Sequence, residues 1–181
     1  IDIPFIVYAA GYNYFKDEGG IPDVGRRHLK KTVERAAFFS VRNDGSAERF
    51  RGDMGFDVPE IPDPGFHIDQ GRTFACPESD PFVLIQLADD KPEYRFDSAA
   101  ARADFIRDMR HATGHLARDR KVILAPHVLD DVGISLEVAD GIPNASVWDF
   151  SRYAFDRCAE CVGYYEQADF VLSMRGHGQI V

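Results

Sequence analysis

The chain has 181 residues, 45% apolar and 28% charged, the balance of a folded protein rather than a disordered one, and enough for one large or two small domains. Its net charge is −9, and the basic residues are interspersed among acids. That distribution lacks the basic face by which phosphates are neutralised, which argues against nucleic acid as a partner, and no apolar run approaches the roughly 18 residues that span a bilayer.

Residues 3–10 form a continuous apolar β-type run ending in Ala10-Gly11-Tyr12-Asn13, the pattern of a buried parallel strand with a ligand loop at its C-terminal end. With no basic stretch ahead of it, the run reads as a strand and not a signal peptide. The chain lacks an initiator Met and breaks off in an apolar run, so it reads as an excerpt of a longer protein. Residues 22–35 fit a helix whose Lys and Arg gather toward its end, as the helix dipole favours. The run AFFSV at 37–41 predicts a second buried strand leading into Arg42-Asn43-Asp44-Gly45-Ser46, where Asp44 can cap a short helix over 47–51. A third short strand at 58–61 is closed by Pro62-Asp63-Pro64-Gly65, where Asp before Pro is good turn chemistry.

From residue 66 to 81 the pattern dissolves into Gly, Pro, Ser and Asp. Alternation then resumes, with strands expected at 82–87, 122–126, 145–147 and 170–173 and helices at 98–118, 130–139 and 149–166. Strands separated by helices of this length indicate parallel sheets with right-handed crossovers. The expected fold class is therefore α/β, with two Rossmann-like lobes. Residues 1–70 form a partial N-terminal lobe, 71–81 a linker, and 82–181 a C-terminal lobe truncated at its end. Ligand loops at the strand ends suggest a cleft between the lobes.

The unusual clusters fall at those strand ends. In Ser173-Met174-Arg175-Gly176-His177-Gly178 a buried strand delivers a guanidinium fork and an imidazole, with glycines that admit a ligand to the backbone. Arg42 ends the second strand, with the Ser46 hydroxyl four residues on; the plainer reading there is an Arg42–Asp44 ion pair. His127 follows a strand and precedes Asp130 and Asp131, for which helix capping is an adequate account. Tyr12 and Asn13, in the Gly11 loop, are placed to face a sugar or a carboxylate. Cys158 and Cys161 form a CxxC without a second pair, and His111 and His115 lie four apart with no third ligand. Both read as ordinary core or surface residues, so no metal is assigned. Nothing in the sequence calls for a cofactor.

The segments AAFFSVRNDGSAERF, PDPGF, ILAPHVLDD and YYEQADFVLSMRGHGQI, in this order, resemble the polysaccharide pyruvyl transferase family. Gly176 stands where the family's Arg–x–His signature often has a bulky apolar residue, and Asn43 where an acid is common. The resemblance implies a fold similar to GT-B glycosyltransferases. It implies transfer of a pyruvyl group from phosphoenolpyruvate onto two hydroxyls of a sugar or lipid-linked glycan, forming a cyclic ketal, in the cytoplasm at the inner face of the membrane. On that basis Arg175 and His177 are the expected catalytic residues. Arg42, Ser46, His127, Gly11, Tyr12, Asn13 and Gly176 are expected to bind substrate. Two other readings keep the two-lobed fold: a glycosyltransferase with a nucleotide-sugar donor, and a non-catalytic glycan- or anion-binding module. The scarcity of acids flanking Arg175 in sequence argues against the first, and the pairing of Arg175 with His177 against the second.

Overall fold

A computed structural model describes residues 3–12, 20–67, 74–152 and 158–175. The chain divides into two compact units, residues 1–68 and 69–181. Each is an α/β layer structure around a parallel sheet, consistent with Rossmann-like lobes.

In the first unit, strands β1 (Ile6–Ala10), β2 (Phe38–Arg42) and β3 (Glu60–Ile61) pair in that order. Helix α1 (Asp23–Arg35) makes the crossover from β1 to β2, and α2 (Ser46–Met54) that from β2 to β3. Alternate strand residues Val7, Phe39 and Val41 meet Leu29 and Val33 of α1 and Phe50 of α2 in one core. Phe50 is fully buried, edge-on to Tyr12 and Phe56. The strand expected at 3–10 begins three residues later, and the short helix extends from the expected 47–51 to 46–54. It runs until Gly55, whose left-handed backbone (φ 76°) ends it and returns an N–H to the Arg51 carbonyl.

The second unit has four strands: β4 (Phe82–Gln86), β5 (Lys121–Leu124), β6 (Ala145–Val147) and β7 (Phe170–Ser173), in the order β6-β5-β4-β7. Helix α3 (Pro92–Arg95), one turn that the sequence pattern did not reveal, precedes α4 (Ala99–Leu116), which Ser98 caps through a 3.1 Å bond from the Ala101 N–H. Helix α5 (Asp130–Ala139) follows β5, and α6 (Cys158–Gln167) precedes β7. The helix expected over 149–166 instead opens with a separate 3-10 turn at Phe150–Arg152.

Every residue of β4 is buried because both sheet faces are covered. Val83 and Ile85 point with Val122 and Leu124 into a core shared with Ile106 of α4 and Ile134 and Val138 of α5. Phe82, Leu84 and Ile123 point the other way, to Phe150, Tyr164 and Tyr165. The chain steps from β4 outward through β5 to β6, then returns to the opposite side of β4 as β7. This reversal makes the carboxyl ends of β4 and β7 the topological switch point, the usual place for a ligand in such a sheet.

Candidate functional site

Gln86, fully buried at the end of β4, organises this switch point. Its Oε1 lies 2.9 Å from the Ser173 hydroxyl and accepts the Arg175 N–H at 2.9 Å, while its Nε2 donates to the Leu87 carbonyl at 2.6 Å. A buried amide with its partners in place fixes the chain beyond β7 and so the origin of the Arg175 side chain.

The guanidinium then meets two acids. Asp131, fully buried in the first turn of α5, accepts from Arg175 Nε and Nη2, each at 2.8 Å, and also holds the Asp89 N–H at 3.0 Å. Asp90, in the loop after β4, accepts from Arg175 Nη2 at 2.8 Å and from Arg95 Nη2 at 2.6 Å. Asp89 receives a two-pronged contact from Arg102 of α4, at 2.9 and 2.5 Å. Burial works to raise the Asp90 carboxyl, but the Arg95 hydrogen bond and the charges of Arg175 and Arg95 prevail and hold it below its ordinary range. The Asp131 hydrogen bonds shift Arg175 further toward the charged form. A groove of about 370 Å³ lined by Pro92, Phe96, Ser98 and Arg102 adjoins this network. A larger hollow of about 590 Å³, at Asp80, Arg120, Lys121 and Ser146, lies at the opposite, N-terminal edge of the sheet, away from the strand ends where ligands bind.

His127, half-buried beyond β5, belongs to the other face of the same sheet. Its Nε2 is in hydrogen-bond contact with the Tyr165 hydroxyl, and its ring packs against Phe150. Burial raises the Tyr165 phenol above its ordinary range, so it stays protonated beside the imidazole.

In the first unit the structure brings together Gly11, Tyr12, Arg42 and Ser46. Arg42 donates from Nη1 to Asp63 at 2.9 Å and lies 3.1 Å from Asp44 through Nη2. The Arg42–Asp44 pair that the sequence allows is therefore present. The guanidinium lies so close over Gly11 that a Cβ there would collide with it. Arg42 Nε is buried with no hydrogen-bond partner among the described residues. Ser46 is fully buried: its hydroxyl accepts the Tyr12 N–H at 2.8 Å and contacts Asp44 Oδ1. It therefore shapes the loop and is not itself presented to a ligand. Tyr12 reaches Asp53 through its hydroxyl at 3.0 Å.

Sequence reasoning missed the residues that hold the others. Ala9 takes a left-handed backbone (φ 51°) at a bulge in β1, with its N–H on the buried Ser40 hydroxyl at 3.0 Å. Strain of this kind in a non-glycine residue gathers at functional loops. Asp89, Asp90 and Gln86 carried no motif, although a polar residue ending an all-apolar strand is a usable signal. Asp131 looked like a helix cap and proves to be the buried partner of Arg175. Asn13, Gly176 and His177 lie outside the described residues. Among the described residues no three His, Cys, Asp or Glu side chains are grouped to hold a metal ion, and no helix is long and apolar enough to cross a membrane.

A search of curated proteins and of solved structures found no match. A family model described as polysaccharide pyruvyl transferase matches residues 1–181, the whole chain, and the chain therefore belongs to that family of transferases acting on glycans.

Proposed function

We propose that this polysaccharide pyruvyl transferase takes its pyruvyl group from phosphoenolpyruvate and builds a ketal on two hydroxyls of a glycan or its lipid-linked precursor. The observation that carries the reading is Arg175, set at the topological switch point with its backbone fixed by Gln86 and its guanidinium oriented by a buried carboxylate. A planar cation held in this way suits a donor with both a carboxylate and a phosphate.

The chemistry needs a proton at the terminal enol carbon, which leaves an oxocarbenium-like centre at the carbon bearing the phosphate. One sugar hydroxyl adds to that centre, and the second displaces the phosphate. Of the two protons the hydroxyls lose, one balances the proton gained by the new methyl group and the other departs with phosphate. His177, two residues past Arg175 in the chain, is assigned to deliver the first proton or to hold the leaving phosphate. Arg42, whose Nε has no hydrogen-bond partner among the described residues, is assigned to an anionic group of substrate. His127, beyond the end of β5 and in hydrogen-bond contact with Tyr165, is assigned to substrate binding. Gly11 leaves space for Arg42, and Gly11, Tyr12, Asn13 and Gly176 are assigned to substrate binding. A phosphoenolpyruvate donor places the reaction in the cytoplasm, at the inner membrane face when the acceptor is lipid-linked.

Thermal unfolding with phosphoenolpyruvate, against a panel of nucleotide sugars, tests the donor. At ten times Kd a ligand stabilises by about 1.4 kcal/mol, a shift of roughly 3–6 °C for a chain of this size. Phosphoenolpyruvate is expected to give that shift, and Arg175→Ala or His177→Ala to abolish it. Stabilisation by a nucleotide sugar alone would replace this reading with a glycosyl-transfer one.

A further inference from the structure

The two carboxylates on Arg175 are not equivalent. Asp131 is fully buried and takes the side-on edge of the guanidinium, through Nε and one hydrogen of Nη2. Asp90 is 30% exposed, takes a single bond from the remaining Nη2 hydrogen, and has a second partner in Arg95. That remaining hydrogen belongs to the end-on edge shared with Nη1, and Nη1 makes no hydrogen bond among the described residues. The end-on edge is the fork that a planar carboxylate or a phosphate engages with two parallel bonds. Asp90 fills half of it.

We propose that Asp90 is a displaceable internal substitute for the substrate's anionic group and thereby sets the site's affinity and selectivity. With the site empty, Asp90 satisfies Nη2. When substrate arrives, Asp90 yields that hydrogen and stays on Arg95, while Asp131 keeps the guanidinium in place. The inference rests on the reading that Arg175 receives the donor's anion. The charges around it support the exchange: Asp89, Asp90 and Asp131 are balanced by Arg95, Arg102 and Arg175, so no excess positive charge draws anions in. A ligand must win by geometry, with two bonds to the fork against the single bond from Asp90. Weak anions that make one contact are thus rejected.

Opposite effects are expected from two variants at partly exposed positions that leave the core intact. Asp90→Asn removes the competing charge and is expected to tighten phosphoenolpyruvate binding by about three- to tenfold in titration calorimetry. Arg95→Ala removes the alternative partner, leaves Asp90 on Arg175, and is expected to weaken binding by a similar factor. Chloride, an anion without the two-pronged geometry, titrated in parallel as a competitor, should gain more from Asp90→Asn than phosphoenolpyruvate does, so that discrimination against it falls. If Asp90→Asn leaves binding unchanged or weaker, or if both variants move it in the same direction, the exchange is wrong even though Arg175→Ala abolishes binding. If Arg175→Ala leaves binding intact, the assignment of the donor site itself falls, and the exchange with it.

Discussion

Ser46 and Arg175 show how one residue type in a motif acquires its role from its neighbours. In the sequence Ser46 looks like a hydroxyl offered to a ligand. In the structure it is fully buried between the Tyr12 N–H and Asp44 and holds the β1 loop against the start of α2. Removing its oxygen leaves a buried backbone N–H unpaired, a loss of about 1–3 kcal/mol. Ser46→Ala is therefore expected to lower the urea midpoint of the first unit, as followed by hydrogen exchange of its amides, since the single Trp148 reports on the second unit; an unchanged midpoint would show that the hydroxyl carries no such role. The sequence singles out Arg175 because a short apolar run ends in Arg–Gly–His. Its carboxylate partners are not singled out, since Asp90 and Asp131 lie 85 and 44 residues away in the chain and only the fold brings them together.

Residues 170–173, 145–147 and 130–139 match their strands and helix residue for residue. Burial does not set those bounds, since β6 and β7 are edge strands with half-buried and exposed residues; local breakers do, with Asn144 (φ 62°) just before β6 and Gly141 (φ 70°) just after α5. Boundaries moved where a single residue decides them, as where α2 runs on until the left-handed Gly55 ends it, and where Asp149 turns the chain into a 3-10 turn by accepting the Ser151 N–H at 3.0 Å. Helix α6 carries a constraint of a different kind. Its Gly163 lies against the Ala75 carbonyl so closely that a Cβ would overlap the backbone, and Gln167 donates to the Phe74 carbonyl at 3.0 Å beside it. Alanine ordinarily stabilises a helix over glycine by about 1 kcal/mol. Gly163→Ala is expected to reverse that sign and lower Tm by a few degrees, whereas Gly114→Ala in α4, where a Cβ meets nothing within 4 Å, raises it. Equal shifts in the two variants would show that α6 does not press on residues 74–76.

Across the molecule the same construction appears in both units. A parallel strand leads into an arginine, two carboxylates grip its guanidinium, and polar side chains fix the loop: the buried Ser40 and Ser46 in the first unit, the buried Gln86 with Ser173 in the second. An acidic chain of net charge −9 thus presents its cations already compensated, so recognition of an anion depends on the direction of N–H donors more than on field strength. The order of strands and helices, their parallel pairing and Arg175 were legible in the sequence. The compensation was not, because it is a property of side chains that meet only after folding.

The measurement that bears most directly on this account is a crystal structure of the protein soaked with phosphoenolpyruvate. The expected result is a donor carboxylate or phosphate on the Nη1–Nη2 edge of Arg175, beyond the carboxyl ends of β4 and β7, with Asp131 still on the opposite edge. Phosphoenolpyruvate bound elsewhere, with that edge left to solvent, would contradict it.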